Sequence, residues 1–153
     1  MATPTPPVVA TATPTRTPTP TPTPSPIPGR ARFYTLSPCR VADTRRANGP
    51  LGGPALQPLQ TRLFPVTGAC GIPASALSIS VNVTVVPAGG GYFVLYPGNE
   101  SNPGTSNLNF SANKVRANNA VVRLATDGSG GLNVTNGSSG ANHFVLDVNG
   151  YFQ

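Results

Sequence analysis

The side chains that could perform chemistry are few in this sequence. Its only carboxylates belong to Asp43, Glu100, Asp127 and Asp147, no two of them within ten residues of each other, and its only imidazole is His143. An enzyme needs a nucleophile with a base, a pair of carboxylates or a metal site. No Gly-x-Ser-x-Gly nucleophile elbow occurs either. We therefore expect no enzymatic activity, no cofactor and no metal ion.

The densest group of charges is the segment "CRVADTR", in which Arg40, Asp43 and Arg45 follow Cys39. Two arginines near a carboxylate could form a binding site for an anion or a sugar. They could equally form an ion pair that fixes the chain beside a disulfide. The ion pair is the simpler of the two hypotheses.

The two cysteines, Cys39 and Cys70, predict one disulfide and an oxidising compartment. Closing the loop between them would stabilise the fold by about 3–4 kcal/mol in the chain-entropy treatment. Together with one histidine they are too few to form a structural zinc site.

The chain is basic, with ten Lys and Arg against four Asp and Glu, which gives a net charge of +6 at pH 7. Such a charge can indicate nucleic-acid binding. Here the arginines are scattered and no basic cluster is interleaved with stacking aromatics, so we expect structural arginines and no nucleic-acid partner. No apolar run reaches ~18 residues, so no membrane span is expected. Met1 leads directly into Pro/Thr sequence, which does not have the pattern of a signal peptide.

A Thr/Pro-rich stem occupies residues 1–29, where "TRTPTPTPTPSP" is typical of the composition. Proline fixes φ near the polyproline II value and removes an N–H donor, so the sequence predicts an extended, semi-rigid rod. Hydroxyls along such a rod are typical of O-glycosylated stalks. The candidate attachment sites are Thr3, Thr5, Thr11, Thr13, Thr15, Thr17, Thr19, Thr21, Thr23 and Ser25.

One part of the stem, "PPVVATAT" at residues 6–13, differs in composition from the rest. Val8, Val9 and Ala10 give it the only combination of β propensity and apolar side chains in the stem. It could be an ordinary piece of linker. We favour the hypothesis that it is a strand that docks into a groove or against a sheet edge of another subunit.

Residues 30–153 read as one all-β domain of eight or nine short strands separated by Gly, Asn, Ser and Pro clusters, which predicts a jelly-roll or Greek-key β-sandwich. First strands are expected near Arg32–Leu36 and Arg40–Asp43. "GGGYFVLYPG" follows the clearest strand after Ala88–Gly90, which predicts a hairpin. In that clearest strand, "ALSISVNVTVVP", one predicted core face consists of Leu77, Ile79, Val81, Val83 and Val85.

Carbohydrate could be bound by this domain or attached to it. Recognition of sugars usually uses aromatic platforms, and the chain has no Trp and only four tyrosines, Tyr34, Tyr92, Tyr96 and Tyr151. Attachment is predicted by the pattern Asn-x-Ser/Thr. It occurs at Asn82, Asn99, Asn109, Asn133 and Asn136.

An ordered set of motifs covers nearly all of residues 31–152 and resembles a domain of secreted bacterial proteins that often lies beside Thr/Pro-rich stalks. The motifs are "FYTLSPCRVADTR", "GPLGGPAL", "CGIPASALSISVNVTVVPAGGGYFVLYP", "LNF", "RANNAVVRL" and "VLDVNGYF". The whole layout also resembles the glycosylated subunits of extracellular helical filaments from freshwater samples. The resemblance implies a jelly-roll-like domain, a Cys39–Cys70 disulfide and an N-terminal stem that packs along neighbouring subunits, with no catalytic residues.

Two functions follow as expectations. The first is a structural subunit of a bacterial extracellular filament, a head-to-tail homopolymer that carries covalent glycans and assembles by docking its stem onto neighbours. The alternative is a stalked cell-surface module for carbohydrate binding or adhesion. Both place the protein outside the cell or on the bacterial surface.

Overall fold

Alternation of buried and exposed side chains along short strands defines the fold, which we describe from a computed structural model. The structure describes residues 1–3 and 30–153, and residues 31–153 form one compact unit. That unit is all-β and contains eight strands. They are β1 Phe33–Asp43, β2 Thr61–Pro65, β3 Ser78–Pro87, β4 Gly91–Pro97, β5 Leu108–Phe110, β6 Arg116–Arg123, β7 Gly131–Asn136 and β8 Asn142–Phe152.

The strands form two antiparallel sheets of four, in the orders β1-β8-β3-β6 and β2-β7-β4-β5. Every connection except the one from β4 to β5 crosses from one sheet to the other. This is the strand order of a jelly roll, a sandwich of two four-stranded sheets. The predicted jelly-roll-like β-sandwich is confirmed.

Strand β3 shows how the sequence builds the core between the sheets. Ile79, Val81, Val83 and Val85 are buried, whereas the residues between them are half-exposed, because successive side chains of a strand point to opposite faces. In the middle of the core, the Phe144 ring lies 5.0 Å from the ring of Phe64 and 5.8 Å from that of Phe93. Aromatic contacts across the two sheets therefore close the sandwich.

Three expectations about the strands and their core residues are wrong. The two strands expected near Arg32–Leu36 and Arg40–Asp43 are one strand, β1, whose pairing with β8 shifts in register between Thr35 and Cys39. The expected hairpin between β3 and β4 does not form, because β8 and β6 occupy both edges of β3 and β4 lies in the other sheet. The predicted core residue Leu77 precedes β3 and is 55% exposed.

A disulfide joins Cys39 of β1 to Cys70, which confirms the predicted pair. Their Cα atoms lie 5.8 Å apart, and 31 positions separate them in the sequence. Closing a loop of this length restricts the unfolded chain and stabilises the folded one by about 3–4 kcal/mol. The bond holds an edge strand of the first sheet to the loop that leads into β3.

A buried polar cluster, formed by Asn136, Ser138 and Asn142, holds the crossing from β3 to β4. Oδ1 of Asn142 accepts hydrogen bonds from the backbone N–H groups of Ala88 and Gly89, at 2.9 and 3.1 Å. Its Nδ2 donates to Oδ1 of Asn136 at 3.1 Å and to Oγ of Ser138 at 2.6 Å. Asn136 and Asn142 are completely buried, so each of these bonds satisfies a group that water cannot reach.

Candidate functional site

The few titratable side chains of the domain take part in its own hydrogen bonds and ion pairs at two places, around His143 and around Asp43. Residues 1–3 and 30–153 contain no group of three or more His, Cys, Asp or Glu side chains that could hold a metal ion. The Nδ1 atom of His143 lies 3.2 Å from Oγ1 of Thr44, and this hydroxyl accepts a hydrogen bond from the N–H of Phe144. His143 is thus part of the bonding between β8 and the loop after β1.

The charges of "CRVADTR" form a network of ion pairs around the buried carboxylate of Asp43. Nε and Nη2 of Arg45 donate to its two oxygens at 2.8 and 2.7 Å, and the N–H of Arg45 donates at 3.1 Å. Arg40 lies 3.6 Å from Asp43 and donates two hydrogen bonds to Asp147. The structure agrees with the ion-pair hypothesis, because Arg45 and Arg40 both pair with carboxylates of the domain itself.

Acid should weaken the folded domain through Asp43. Hydrogen bonds from Arg45, opposed in part by burial, lower the pKa of Asp43 from 3.8 to about 2. A lowered pKa stabilises the folded state fully above the unfolded value of 3.8, and this contribution disappears as the pH falls through 2. Because the arginines are partly exposed to solvent, we expect a loss of about 1–2 kcal/mol, measured by urea unfolding of residues 30–153 at pH 7, 4 and 2.

The matched control for the acid experiment is Asp43→Asn, which keeps the shape of the side chain but does not titrate. The variant should be less stable than the wild type at pH 7, and the difference should shrink as the pH approaches 2. A constant difference between the two proteins across this range would contradict the role assigned to Asp43.

Arg62 also has a structural role, but its hydrogen-bond partners are backbone carbonyl oxygens and not a carboxylate. Its guanidinium donates to the carbonyl oxygens of Gly52 and Pro54 at 2.8 and 3.0 Å, and its Cζ lies 4.7 Å above the ring of Phe64. Burial lowers the pKa of Arg62. The side chain thus fastens the loop between β1 and β2 to the second sheet, in agreement with the expectation of structural arginines.

Three of the four sheet edges are short, interrupted or covered. The edge strand β5 has only three residues, and β2 has five and ends in Pro65. The edge strand β1 changes register around Pro38, and its last residue, Asp43, donates its N–H to the carbonyl of Leu51 in the following loop. Short strands, prolines and irregular pairing are the usual means by which edges avoid further strand pairing.

The fourth edge, β6, has none of these features. Eight consecutive pairs join it to β3, from Arg116 opposite Val85 to Arg123 opposite Ser78, without a register shift. Between these two arginines the strand contains neither proline nor charge. Val121 is 61% exposed on the face that β6 shares with Ser80 and Asn82. Within residues 30–153, β6 has no strand on its other side.

Aromatic rings lie partly exposed at the beginning of β1, the end of the domain from which the stem extends in sequence. Tyr34 and Tyr151 are stacked, with centroids 5.2 Å apart and planes at 15°. Phe33 and Phe152 lie 4.9 Å apart. Phe33 and Tyr34 remain 48% and 41% exposed. The two pairs lie on opposite faces of the sheet, because Phe33 and Tyr34 are successive residues of β1 and pair with successive residues of β8.

The five Asn-x-Ser/Thr candidates differ in their access to solvent. Asn99 and Asn109 are exposed, and Asn82 and Asn133 are half-buried. Asn136 is completely buried, and its Nδ2 donates to the carbonyl oxygens of Leu56, Gln57 and Gly140. The folded domain has no room for a glycan on that nitrogen. N-glycosylation at the other four residues stays a prediction.

Most sites predicted in the stem lie outside the described residues. Thr3 is described and is exposed. The remaining O-glycosylation candidates and the docking residues Val8, Val9 and Ala10 fall within residues 4–29, so their roles stay predictions.

Comparisons with known proteins identify no relative. No protein-family model, no curated protein and no solved structure matches the chain. Among the residues that the structure describes, no helix is long and apolar enough to cross a membrane.

Proposed function

We propose that this protein is a structural subunit of an extracellular filament and that it polymerises by docking its N-terminal stem onto neighbouring subunits. Two observations support the proposal. The jelly-roll domain has one long, unpaired edge strand, β6. The first 29 residues of the same chain are rich in Thr and Pro. The domain uses its buried polar and charged groups to hold itself together. The surfaces that remain for function are edges and exposed patches.

Assembly would proceed head to tail. The stem of one copy contacts the domain of the next, whose own stem remains available for a third copy. Such a heterologous contact does not close on itself, so it produces a helical filament. Prolines on both sides of the docking residues, Pro7 and Pro14, restrict the unbound chain and so lower the entropy lost on docking. The disulfide is consistent with assembly in an oxidising, extracellular compartment.

Glycans would complete the surface of the filament. Threonines alternate with prolines between Thr17 and Pro24, which spaces hydroxyls evenly along the stem. Sugars on these hydroxyls would keep an apolar, weakly charged segment in solution. We assign this role to the Thr/Pro repeat and the docking role to residues 6–13.

Charge in the docking segment should block assembly. The double variant Val8→Asp/Val9→Asp replaces the apolar side chains expected to be buried at the contact, and each buried valine contributes about 1.5–3 kcal/mol. We expect filaments of the full chain to disappear or shorten severely in electron micrographs. The control Thr19→Asp/Thr21→Asp adds the same charge to the repeat and should leave filament length unchanged. Filaments of normal length from the Val8/Val9 variant would refute docking through this segment.

The alternative function, a stalked carbohydrate-binding module, is favoured by one observation. The stacked pair of Tyr34 and Tyr151 presents aromatic surface at an end of the sandwich, and aromatic rings are the usual platform for sugars. Saturable binding of residues 30–153 to a glycan array, lost in Tyr34→Ala, would favour this function over the filament. The filament proposal predicts no such binding.

A further inference from the structure

We infer that the open edge of β6 is the acceptor of the stem: residues 8–13 of a second copy add to it as an extra strand. The inference rests on the proposed function and names the two segments that form the contact between subunits, a donor in the stem and an acceptor in the domain. It assigns the acceptor to one strand among the four sheet edges. It also restricts the donor to a segment of six residues.

The acceptor is the only edge in residues 30–153 that offers a long, regular ladder. Strand addition uses main-chain hydrogen bonds, so the receiving strand must present unpaired N–H and C=O groups in regular alternation. β6 pairs with β3 through eight consecutive residues, which keeps its backbone regular from Arg116 to Arg123. Its backbone donors and acceptors bond to no other segment of residues 30–153.

The donor is defined by where proline is missing. An added strand needs N–H groups and β-region φ values, and proline supplies neither. In residues 1–29 the longest segment without proline is Val8–Thr13, bounded by Pro7 and Pro14. Its six residues match in length the six uncharged residues of β6 that lie between Arg116 and Arg123.

The side chains of donor and acceptor also suit one another. Ala117, Asn119 and Val121 share the solvent face of β6, and Val121 is 61% exposed. A strand laid beside β6 would place its own side chains about 5 Å from these, where apolar β-branched pairs are favourable. Val8 or Val9 would cover Val121. The donor carries no charge, so neither arginine at the ends of β6 repels it.

The length of the spacer favours a neighbouring copy over the same molecule. Sixteen residues, 14–29, separate the donor from the domain. At ~3.1 Å per residue an extended Pro-rich spacer spans roughly 50 Å. A domain of this size is ~35 Å across, judged from the usual radius of gyration. Because the estimated length of the spacer exceeds the width of the domain, we assign the donor to a neighbouring copy.

Hydrogen exchange locates the contact. In filaments of the full chain, the amides within residues 117–122 that point away from β3 should exchange at least roughly tenfold more slowly than in the isolated domain, residues 30–153. A chain that begins at residue 14 should show no such slowing.

Slower exchange at β1, β2 or β5 instead of β6 would overturn the inference and leave stem docking intact. Slower exchange at β6 in a chain that lacks residues 1–13 would also overturn the inference, because the segment that covers β6 would then be another part of the neighbouring subunit. Failure of the full chain to assemble would overturn the proposed function as well.

A charge on the edge supplies the second test. Val121→Lys should leave the domain folded, since the side chain is already exposed, and should raise the concentration needed for filament growth at least roughly tenfold, because edge lysines oppose strand addition. The matched control is Leu63→Lys, on β2 at the edge of the other sheet, where Leu63 is 45% exposed. It should leave that concentration unchanged. Equal effects of the two variants, or no effect of Val121→Lys, would overturn the assignment of β6.

Discussion

Removal of residues 1–29 is expected to abolish filament formation completely. We propose that every contact between subunits uses the stem of one copy. A chain without the stem keeps the acceptor strand β6 but has no donor segment. The residual protein, residues 30–153, should sediment as a monomer at every concentration tested. Electron microscopy and analytical ultracentrifugation of the two chains under the same conditions measure the effect.

The truncated domain should otherwise be unaffected. Its core, its disulfide and its buried polar cluster lie within residues 39–148. Its thermal midpoint should therefore equal that of the full chain measured below the concentration for assembly. A truncated chain that still forms filaments would show that the domains associate directly, and the stem mechanism would then be wrong.

Asn142→Ala is expected to destabilise the domain strongly, although the residue is polar and not part of the hydrophobic core. The side chain makes four hydrogen bonds in a site without exposure to solvent. Alanine leaves the N–H groups of Ala88 and Gly89 and the side chains of Asn136 and Ser138 short of a partner. Each unsatisfied buried group costs about 1–3 kcal/mol, so we expect a total loss of at least ~3 kcal/mol in the free energy of unfolding.

Urea unfolding of residues 30–153 measures this loss, and Asn82→Ala is the matched control. Asn82 is half-exposed on β3 and its Nδ2 donates only to Oγ1 of Thr84, at 3.2 Å. That variant should cost less than about 1 kcal/mol. Equal losses for the two variants would contradict the role of the buried cluster in holding the crossing from β3 to β4.

Local pattern was sufficient to predict the class of fold. The alternation from Ile79 to Val85 identified β3 and its core face because period two is a property of a strand by itself. The spacing of turn residues predicted the number of strands because turn residues mark where each strand ends. The disulfide followed from there being only two cysteines.

Which strands lie side by side was not predictable from local pattern. The short Gly-rich connection after Pro87 has the length of a hairpin, but here it crosses between sheets. Gly89 passes so close to the β7–β8 loop that a Cβ there would lie 2.6 Å from the nitrogen of Gly140. The crossing is fixed by Asn142, far away in sequence, and no local signal reveals that contact.

The same limit applies to the candidate sites. The pattern Asn-x-Ser/Thr is equally complete at Asn109 and Asn136, yet only the first is exposed, because burial depends on tertiary packing. The sequence "RANNAVVR" identifies a strand and gives no indication that it lies at an edge. The open edge of β6 therefore emerged only from the order of the strands.

Sedimentation velocity of the intact chain over a wide range of concentration tests the central claim most directly. We predict that the sedimentation coefficient rises steadily with concentration as head-to-tail polymers grow, and that residues 8–13 become protected from hydrogen exchange over the same range. A single monomeric species at all concentrations, with these amides exchanging freely, would contradict the proposal that the stem links one subunit to the next.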